Sequence, residues 1–407
     1  VRVNIVSPAF AWYRGYELYA GGQVILWELT RLLAEKGHQV TVIQWGDDLR
    51  EFDFHHVRIR QVPVPEPRFL VRMGITRLFQ TYGFYWRRHL DPDADLVHLH
   101  YYNSAFPFAT GEMTGMCHGI DWDCPDTGRR RDLRALRDRF HLATMKAIAR
   151  FAVRRLGRIA ANDLFFLKFV QSEMPAHREK VWHIPNFVDD RIFNESVKPS
   201  AEIAAAHDGR FRVLIPKFVM HQRGQHLAIQ ALSRLGRRDV VLLLAGEPPG
   251  GKEARYYEAL IAEHAGPGQV VYLGHRDHFK EMPGLYRAAD AVLVPSHCRE
   301  ATALSLLEGM ACGRPVMVTN VGGLTDAVVD GLNGVVRPPT PDGIASGLRL
   351  LMDDPRLASS LAAEGRNWAR RFYGLDVWRR RWLEFLGLDG ADRGSAARGG
   401  TPGPCAR

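Results

Sequence analysis

Residues 291–319 read AVLVPSHCREATALSLLEGMACGRPVMVT. The run opens with an apolar strand, AVLVPS, and closes with a second, PVMVT, while TALSLLEGMACG between them has the apolar content of a packed helix. Strand, loop, helix and strand in this order make a βαβ unit, whose crossover is right-handed and whose strands are parallel. Two glutamates, Glu300 and Glu308, interrupt the apolar pattern. Glu300 lies in the loop leaving the first strand, where an open parallel sheet binds its ligands. Glu308 falls about two turns into the helix, and eight residues at 100° each return it to within about 80° of the starting direction. Both carboxylates can therefore face one ligand. A carboxylate accepting two hydroxyl hydrogen bonds suits a vicinal diol, as in a sugar ring or a ribose, each charge-assisted bond contributing about 1.5 to 3 kcal/mol. The plainer reading of the same pair is a helix N-terminal acid and a surface acid.

Outward from this unit the alternation continues. FRVLIPKF, VVLLLAG and VVYLG read as strands, separated by the helical runs HLAIQALSRL and YYEALIAEHA, so the second half is a doubly wound parallel sheet. The first half repeats the scheme: VNIVSP is a strand, AGGQ a glycine loop, VILWELTRLLAEKGHQ an amphipathic helix and VTVIQW a strand, with further strands at DLVHLH, TGMCHG and RIAAND. A chain of 407 residues exceeds one ordinary core. The expected organisation is an N-terminal Rossmann-like domain over 1–193, a polar linker over 194–209 (NESVKPSAEIAAAHDG) and a C-terminal Rossmann-like domain over 210–370. A helical segment over 371–387 follows, and the Gly-, Ala-, Arg- and Pro-rich stretch 388–407 is expected to be disordered.

With 46% hydrophobic and 24% charged residues the composition is globular. No stretch reaches the roughly 18 apolar residues a spanning helix needs, and VRVNIVSPAF enters a strand without a leader pattern, so a cytoplasmic protein is expected. Five cysteines without finger-like pairing argue against a disulfide framework or a structural zinc site. The net charge of +9 resides in 129–158, which holds eleven basic and two acidic residues. Leu133, Leu136, Phe140, Ala143, Ala147 and Phe151 recur there at helical spacing, predicting an amphipathic helix with a basic face. That face is either simply solvated or docks on an anionic membrane surface, which would place the protein peripherally at the inner face of the membrane. No aromatic-rich RNA signature accompanies it, and nucleic acid is not an expected partner.

Other residues with chemical potential lie at strand ends. Gly21 and Gly22 let the backbone approach an anion at a helix N-terminus. His98 and His100 form an H-x-H pair, but no third ligand with suitable spacing follows, so no metal is expected there. His118, with Asp121, Trp122 and Asp123 just after it, follows the TGMC strand. Tyr101, Tyr102 and Phe106, like the aromatic and basic stretch 68–90, either stack on sugars or form core. Lys217 and Arg223 follow the FRVLI strand.

The E-x7-E spacing of Glu300 and Glu308, followed by GRPV and GG, resembles the nucleotide-sugar-binding region of glycosyltransferase family 4. LYRAADAVLVPS, DGLNGVVRPP and IPNFVDDRIF match further motifs of that family, and the resemblance covers roughly residues 1 to 385. It implies a GT-B fold, two facing Rossmann-like domains with a cleft, whose helix ending near Leu386 returns to the N-terminal domain. It also implies a retaining enzyme that moves a hexose-type sugar from a nucleoside diphosphate sugar, UDP- or GDP-linked, to a hydroxyl acceptor such as a natural-product core or an envelope lipid or glycan, without a required cofactor or metal. Residue by residue, Glu300 is expected to bind donor-sugar hydroxyls, Glu308 the ribose, Lys217 and Arg223 the diphosphate, and His118 the donor sugar near the reacting carbon. Gly21 and Gly22 lie beside the diphosphate, and Thr302, Ala303 and Leu304 line the donor. Apart from the resemblance, Asp121, Trp122 and Asp123 are read as binding acceptor hydroxyls or as structural residues, and Tyr101 as an acceptor contact or core. The family's E-x-F-G is here Glu300-Ala301-Thr302-Ala303, and the order of the two cations is reversed. The rivals are a sugar-nucleotide epimerase or phosphorylase on the same fold, and a non-catalytic basic protein that binds nucleic acid or membrane.

Overall fold

A computed structural model describes residues 1–11, 18, 21–63, 86–120, 122, 133–207, 209–298 and 300–389, without the side chains of 133–139 and 141. Asp121, Asp123, most of 68–90 and the expected tail from 390 onward lie outside the described residues.

The first half holds β1 (Arg2–Val6), β2 (Gln39–Gly46), β3 (Arg50–Phe54), β4 (Val57–Pro63), β5 (Leu96–Leu99), β6 (Thr114–Cys117), β7 (Arg158–Ala161) and β8 (Val181–His183). They form one sheet in the order β3-β4-β2-β1-β5-β6-β7-β8, parallel except for the β3–β4 hairpin. In the second half, β9 (Phe211–Ile215), β10 (Val240–Leu244), β11 (Val270–Tyr272), β12 (Ala291–Val294), β13 (Val316–Thr319) and β14 (Val335–Arg337) form an all-parallel sheet, ordered β11-β10-β9-β12-β13-β14. All residues of β10, β12 and β13 are buried, as expected of strands covered by helices on both faces. This is the two-domain, Rossmann-like architecture expected from the sequence.

The strand orders fix where ligands bind. In the first sheet the chain winds outward from β1 to β2 and then returns to β5 on the other side; in the second it winds from β9 to β11 and returns to β12. Crevices at such reversals, beyond the carboxyl ends of the strands, are the binding positions of open α/β sheets. The loops that leave β1, β5, β9 and β12 carry Gly21–Gly22, Tyr101, Lys217 with Arg223, and Glu300, in that order.

Two features depart from the sequence reading. The β3–β4 hairpin and the short β8 and β14 were not anticipated; the hairpin turns at His55, which adopts φ 54°. The basic helix, Leu133–Arg155, forms, but with a different inner face: Met145, Ile148, Ala149, Ala152 and Val153 are buried, whereas Phe140 is 68% exposed and Ala143 and Ala147 are also outside. Of the expected stripe, Phe140, Ala143 and Ala147 thus face solvent while Phe151 packs against the domain core. Within 194–209, Ala201–Ala206 is helical.

The helix Leu375–Leu386 packs on the first domain: Leu375, Trp378, Trp382 and Phe385 join Ile25, Leu26 and Leu29 in one buried cluster. Arg379 on its outer face donates to Glu28 at 2.6 Å and Glu35 at 2.9 Å of the helix Gly21–Glu35. Trp382→Ala should destabilise the protein by about 3–5 kcal/mol through the cavity it leaves, and urea unfolding followed by circular dichroism measures this.

Candidate active site

Between the two domains lies a cavity of about 410 Å³. His118, Tyr101, Gly21 and Gly22 line its N-terminal wall, and Lys217, Arg223, Glu300, Thr302, Ala303, Leu304 and Glu308 its C-terminal wall. The structure therefore brings eleven of the predicted site residues to one space. Trp122 does not join them; its ring packs on Phe169 with centroids 4.9 Å apart.

Glu300 is 8% exposed and is gripped from three directions. Lys217 Nζ lies 3.0 Å from Oε1, Arg223 Nη1 2.6 Å from Oε2, and Ser296 Oγ donates to Oε2 at 2.6 Å. Burial alone would raise the carboxyl; Arg223, Lys217 and the Ser296 hydroxyl outweigh it and bring the pKa down to about 2. Lys217 is itself pushed below its usual range by desolvation, against the pull of Glu300. The backbone needs glycine to make this loop. Gly322 adopts φ +53°, and a Cβ there would meet the Glu300 carbonyl at 1.9 Å, while Gly323 N–H donates to the same carbonyl at 2.8 Å. Gly224, at φ +76°, likewise lets the Arg223 loop touch Pro295.

Glu308, 4% exposed, accepts from the Tyr286 hydroxyl at 2.6 Å through Oε2, and His278 Nε2 lies 3.7 Å from Oε1. Burial, with the carboxylate beside it, raises the Tyr286 phenol well above its usual range, so the phenol stays protonated and donates.

Across the cavity the histidines form a relay of fixed hydrogen bonds. His100 Nε2 is 3.0 Å from the Gly22 carbonyl and His118 Nε2 2.9 Å from the His100 carbonyl, so each must donate there. Burial lowers the His118 pKa to about 4, so the ring is neutral at pH 7 and its Nδ1 is an acceptor. His98 is occupied by Thr114 Oγ1 at 2.9 Å. His100 thus seats the start of the helix Gly21–Glu35, while His98 ties β5 to β6.

The cleft is also stitched directly. The Thr302 hydroxyl donates to the Asn162 carbonyl at 2.7 Å, Asn186 Nδ2 donates to the Thr302 carbonyl, and Leu164 N–H donates to Asp326 at 2.8 Å. The sequence reading missed Asn162, Asn186, Ser296 and Tyr286. Asn186 and Tyr286 stand inside IPNFVDDRIF and LYRAADAVLVPS, so the motifs held the signal.

The sequence of residues 200–368 matches the family Glycosyl transferases group 1, and residues 19–191 match Glycosyltransferase Family 4. The chain belongs to glycosyltransferase family 4. Among its relatives, the GDP-mannose-dependent alpha-(1-6)-phosphatidylinositol monomannoside mannosyltransferase of Mycolicibacterium smegmatis is 29% identical over 254 residues, which are 58% of this chain and 64% of that protein. The glycogen synthase of Mycobacterium tuberculosis is 36% identical over 149 residues, 36% of this chain and 35% of that protein. The matched stretches thus span between about a third and two thirds of these relatives' lengths. The solved sucrose-phosphate synthase of Thermosynechococcus elongatus superposes with a TM-score of 0.74 at 18% identity, over 95% of this chain and 98% of that one. Anabaena HepE in complex with UDP and glucose gives 0.69 at 18% identity, over 95% and 99% of the two chains. The GT-B fold of this family 4 chain is therefore that of the solved structures.

Two consequences are measurable. Glu300→Gln leaves Lys217 and Arg223 without their counter-charge and should cost about 3 kcal/mol of unfolding free energy, read from urea denaturation of the ligand-free protein. His118 and His98 have folded pKa values of about 4 and about 3 against an ordinary 6.5. Their contribution is complete above 6.5 and is lost as pH falls toward the folded values, because the unfolded chain then binds more protons. The urea midpoint should drop between about pH 7.5 and about pH 5, and the drop should be smaller in His118→Gln.

Proposed function

We propose that the protein is a retaining glycosyltransferase that transfers a hexose from a nucleoside diphosphate sugar to a hydroxyl acceptor. The observation that carries this reading is the pair of cations, Lys217 and Arg223, fixed by Glu300 at the β9/β12 crevice and facing His118 across the cavity. Breaking the bond between the anomeric carbon and the phosphate oxygen puts negative charge on the departing diphosphate. Cations already held in place stabilise that charge without reorganising. Arg223 and Lys217 have donors beyond those given to Glu300, so they can hold the carboxylate and the diphosphate together.

Glu308 binds the ribose through Oε1, its Oε2 being taken by Tyr286. Glu300 and the backbone of 302–304 hold the donor sugar, and His118 accepts a sugar hydroxyl at Nδ1. Among the described residues the carboxylates lining the cavity are Glu300 and Glu308, and the former has both oxygens engaged by cations. A covalent carboxylate intermediate is therefore disfavoured. The acceptor oxygen attacks on the face the phosphate leaves, the new C–O bond forms as the old one breaks, and the acceptor's proton passes to the departing phosphate oxygen. Products are the glycoside and the nucleoside diphosphate.

The donor is a UDP- or GDP-hexose, in line with the names of relatives and the ligand named for HepE. The acceptor is a natural-product core or an envelope lipid or glycan bound on the N-terminal wall near Tyr101. A lipid acceptor is supported by the basic helix Leu133–Arg155 on the same domain and by the lipid named for the mannosyltransferase relative, and a peripheral position on the cytoplasmic face of the membrane goes with that reading. No helix among the described residues is long and apolar enough to cross a membrane.

A thermal-shift panel of nucleoside diphosphates and sugar nucleotides tests the donor, since a ligand of the folded state raises the melting temperature. One diphosphate should stand out, and Glu308→Gln should weaken it by about tenfold or more through loss of a charged hydrogen bond. His118→Ala should retain diphosphate binding but lose at least about 100-fold in turnover. Donor isomerisation, or cleavage that depends on added phosphate, would instead support an epimerase or phosphorylase.

A further inference from the structure

Behind the cation loop, outside the cavity lining, three histidines converge. His221 belongs to the 3-10 turn His221–Arg223 after β9, His226 to the first turn of the helix Gln225–Leu235, and His297 to the loop after β12. Each offers one nitrogen, and the three nitrogens lie within 4.8 Å of one another. His221 stacks on His226 with ring centroids 4.0 Å apart, and His297 meets His221 edge-on at 5.0 Å.

The polar atoms of this cluster are underused. His226 is 6% exposed, and its Nδ1 is buried with no hydrogen-bond partner; Nδ1 of His297 is in the same state. Both rings therefore hold a buried nitrogen that no group among the described residues satisfies. An unpartnered buried nitrogen forfeits its hydration without a replacement bond. Two in one cluster call for a common partner.

We propose that His221, His226 and His297 bind one divalent transition-metal ion, with zinc the best fit. Three neutral imidazoles select zinc, copper, nickel or cobalt over magnesium or calcium, which take oxygen ligands. Zinc–nitrogen bonds of about 2.0–2.1 Å put tetrahedral ligand atoms about 3.3 Å apart, so the rings need to close by about 1.5 Å at most from their 4.8 Å limit. The exposed His221 supplies that movement and leaves the fourth position to water. The ion would tie the loop carrying Arg223 to the loop carrying Glu300. Its role is to brace the cation site from behind; it takes no part in the transfer step, and the site exists whether or not the donor assignment holds.

The test uses untagged full-length protein stripped with a chelator and titrated with zinc chloride alone, by calorimetry and by elemental analysis after desalting. One zinc per chain, with a raised melting temperature and no response to magnesium, is expected. His221→Ala, at an exposed position that leaves folding intact, and His297→Ala should each weaken binding more than about tenfold, whereas His177→Ala on the other domain should bind like the parent. Absence of a saturable zinc site in the parent, or undiminished binding in both His221→Ala and His297→Ala, overturns the proposal.

Discussion

A single carboxylate organises the C-terminal half of the cleft. Glu300 is almost wholly removed from water, and an ionised carboxylate in such a place is tolerable only with charge and hydrogen bonds around it. Lys217, Arg223 and Ser296 supply them from two points of the fold, the first two from the segment after β9 and the third from just beyond β12. The ion cluster therefore fastens the two loops at the strand-order reversal to each other. Gly322 and Gly323 then give the third loop, after β13, the close approach that completes the cradle. Positive charge is held at the floor of the cavity before any ligand arrives, and that is the condition for stabilising a departing diphosphate without reorganisation.

The opposite wall is built from neutral groups. His100 and His118 are held neutral by burial and spend one nitrogen each on backbone carbonyls, so among the described residues the wall presents acceptors and an aromatic face, Tyr101. One wall of fixed charge facing one wall of neutral polar groups matches a substrate with a charged end and a hydroxyl-rich end. Thr302 lies at the seam. Where family members have phenylalanine, this chain has a small hydroxyl that bonds the Asn162 carbonyl, so a residue expected to shape the donor site also joins the domains.

Much of this was legible because it follows from period and position. The apolar strands and glycine loops gave the parallel sheets, and residues just beyond strand ends, Lys217, His118 and Glu300, had to fall in the crevices. What was not legible depends on side-chain packing in three dimensions. The inner face of the basic helix was misplaced because Phe140 has the stronger hydrophobicity, whereas the domain buries the face that carries Met145, Ile148, Ala149, Ala152 and Val153. The β3–β4 hairpin escaped notice because arginines alternate with its apolar residues and a His-His turn lacks the usual glycine signal. The three-histidine cluster could not be read from spacing, since His297 joins His221 and His226 only through the pairing of β9 with β12.

The polypeptide passes between the domains twice, once after Val188 and once before Leu375. At the crossing the two passes touch: Val188 N–H donates to the Tyr373 carbonyl at 2.8 Å, and Val188 pairs with Gly374 as an isolated bridge. Two adjacent backbone connections bonded side by side behave as a leaf hinge. They leave one easy rotation, about the line through both, and resist twisting and sliding. Any rotation of one domain against the other turns about that line and has to break the Thr302–Asn162 and Leu164–Asp326 hydrogen bonds that stitch the walls.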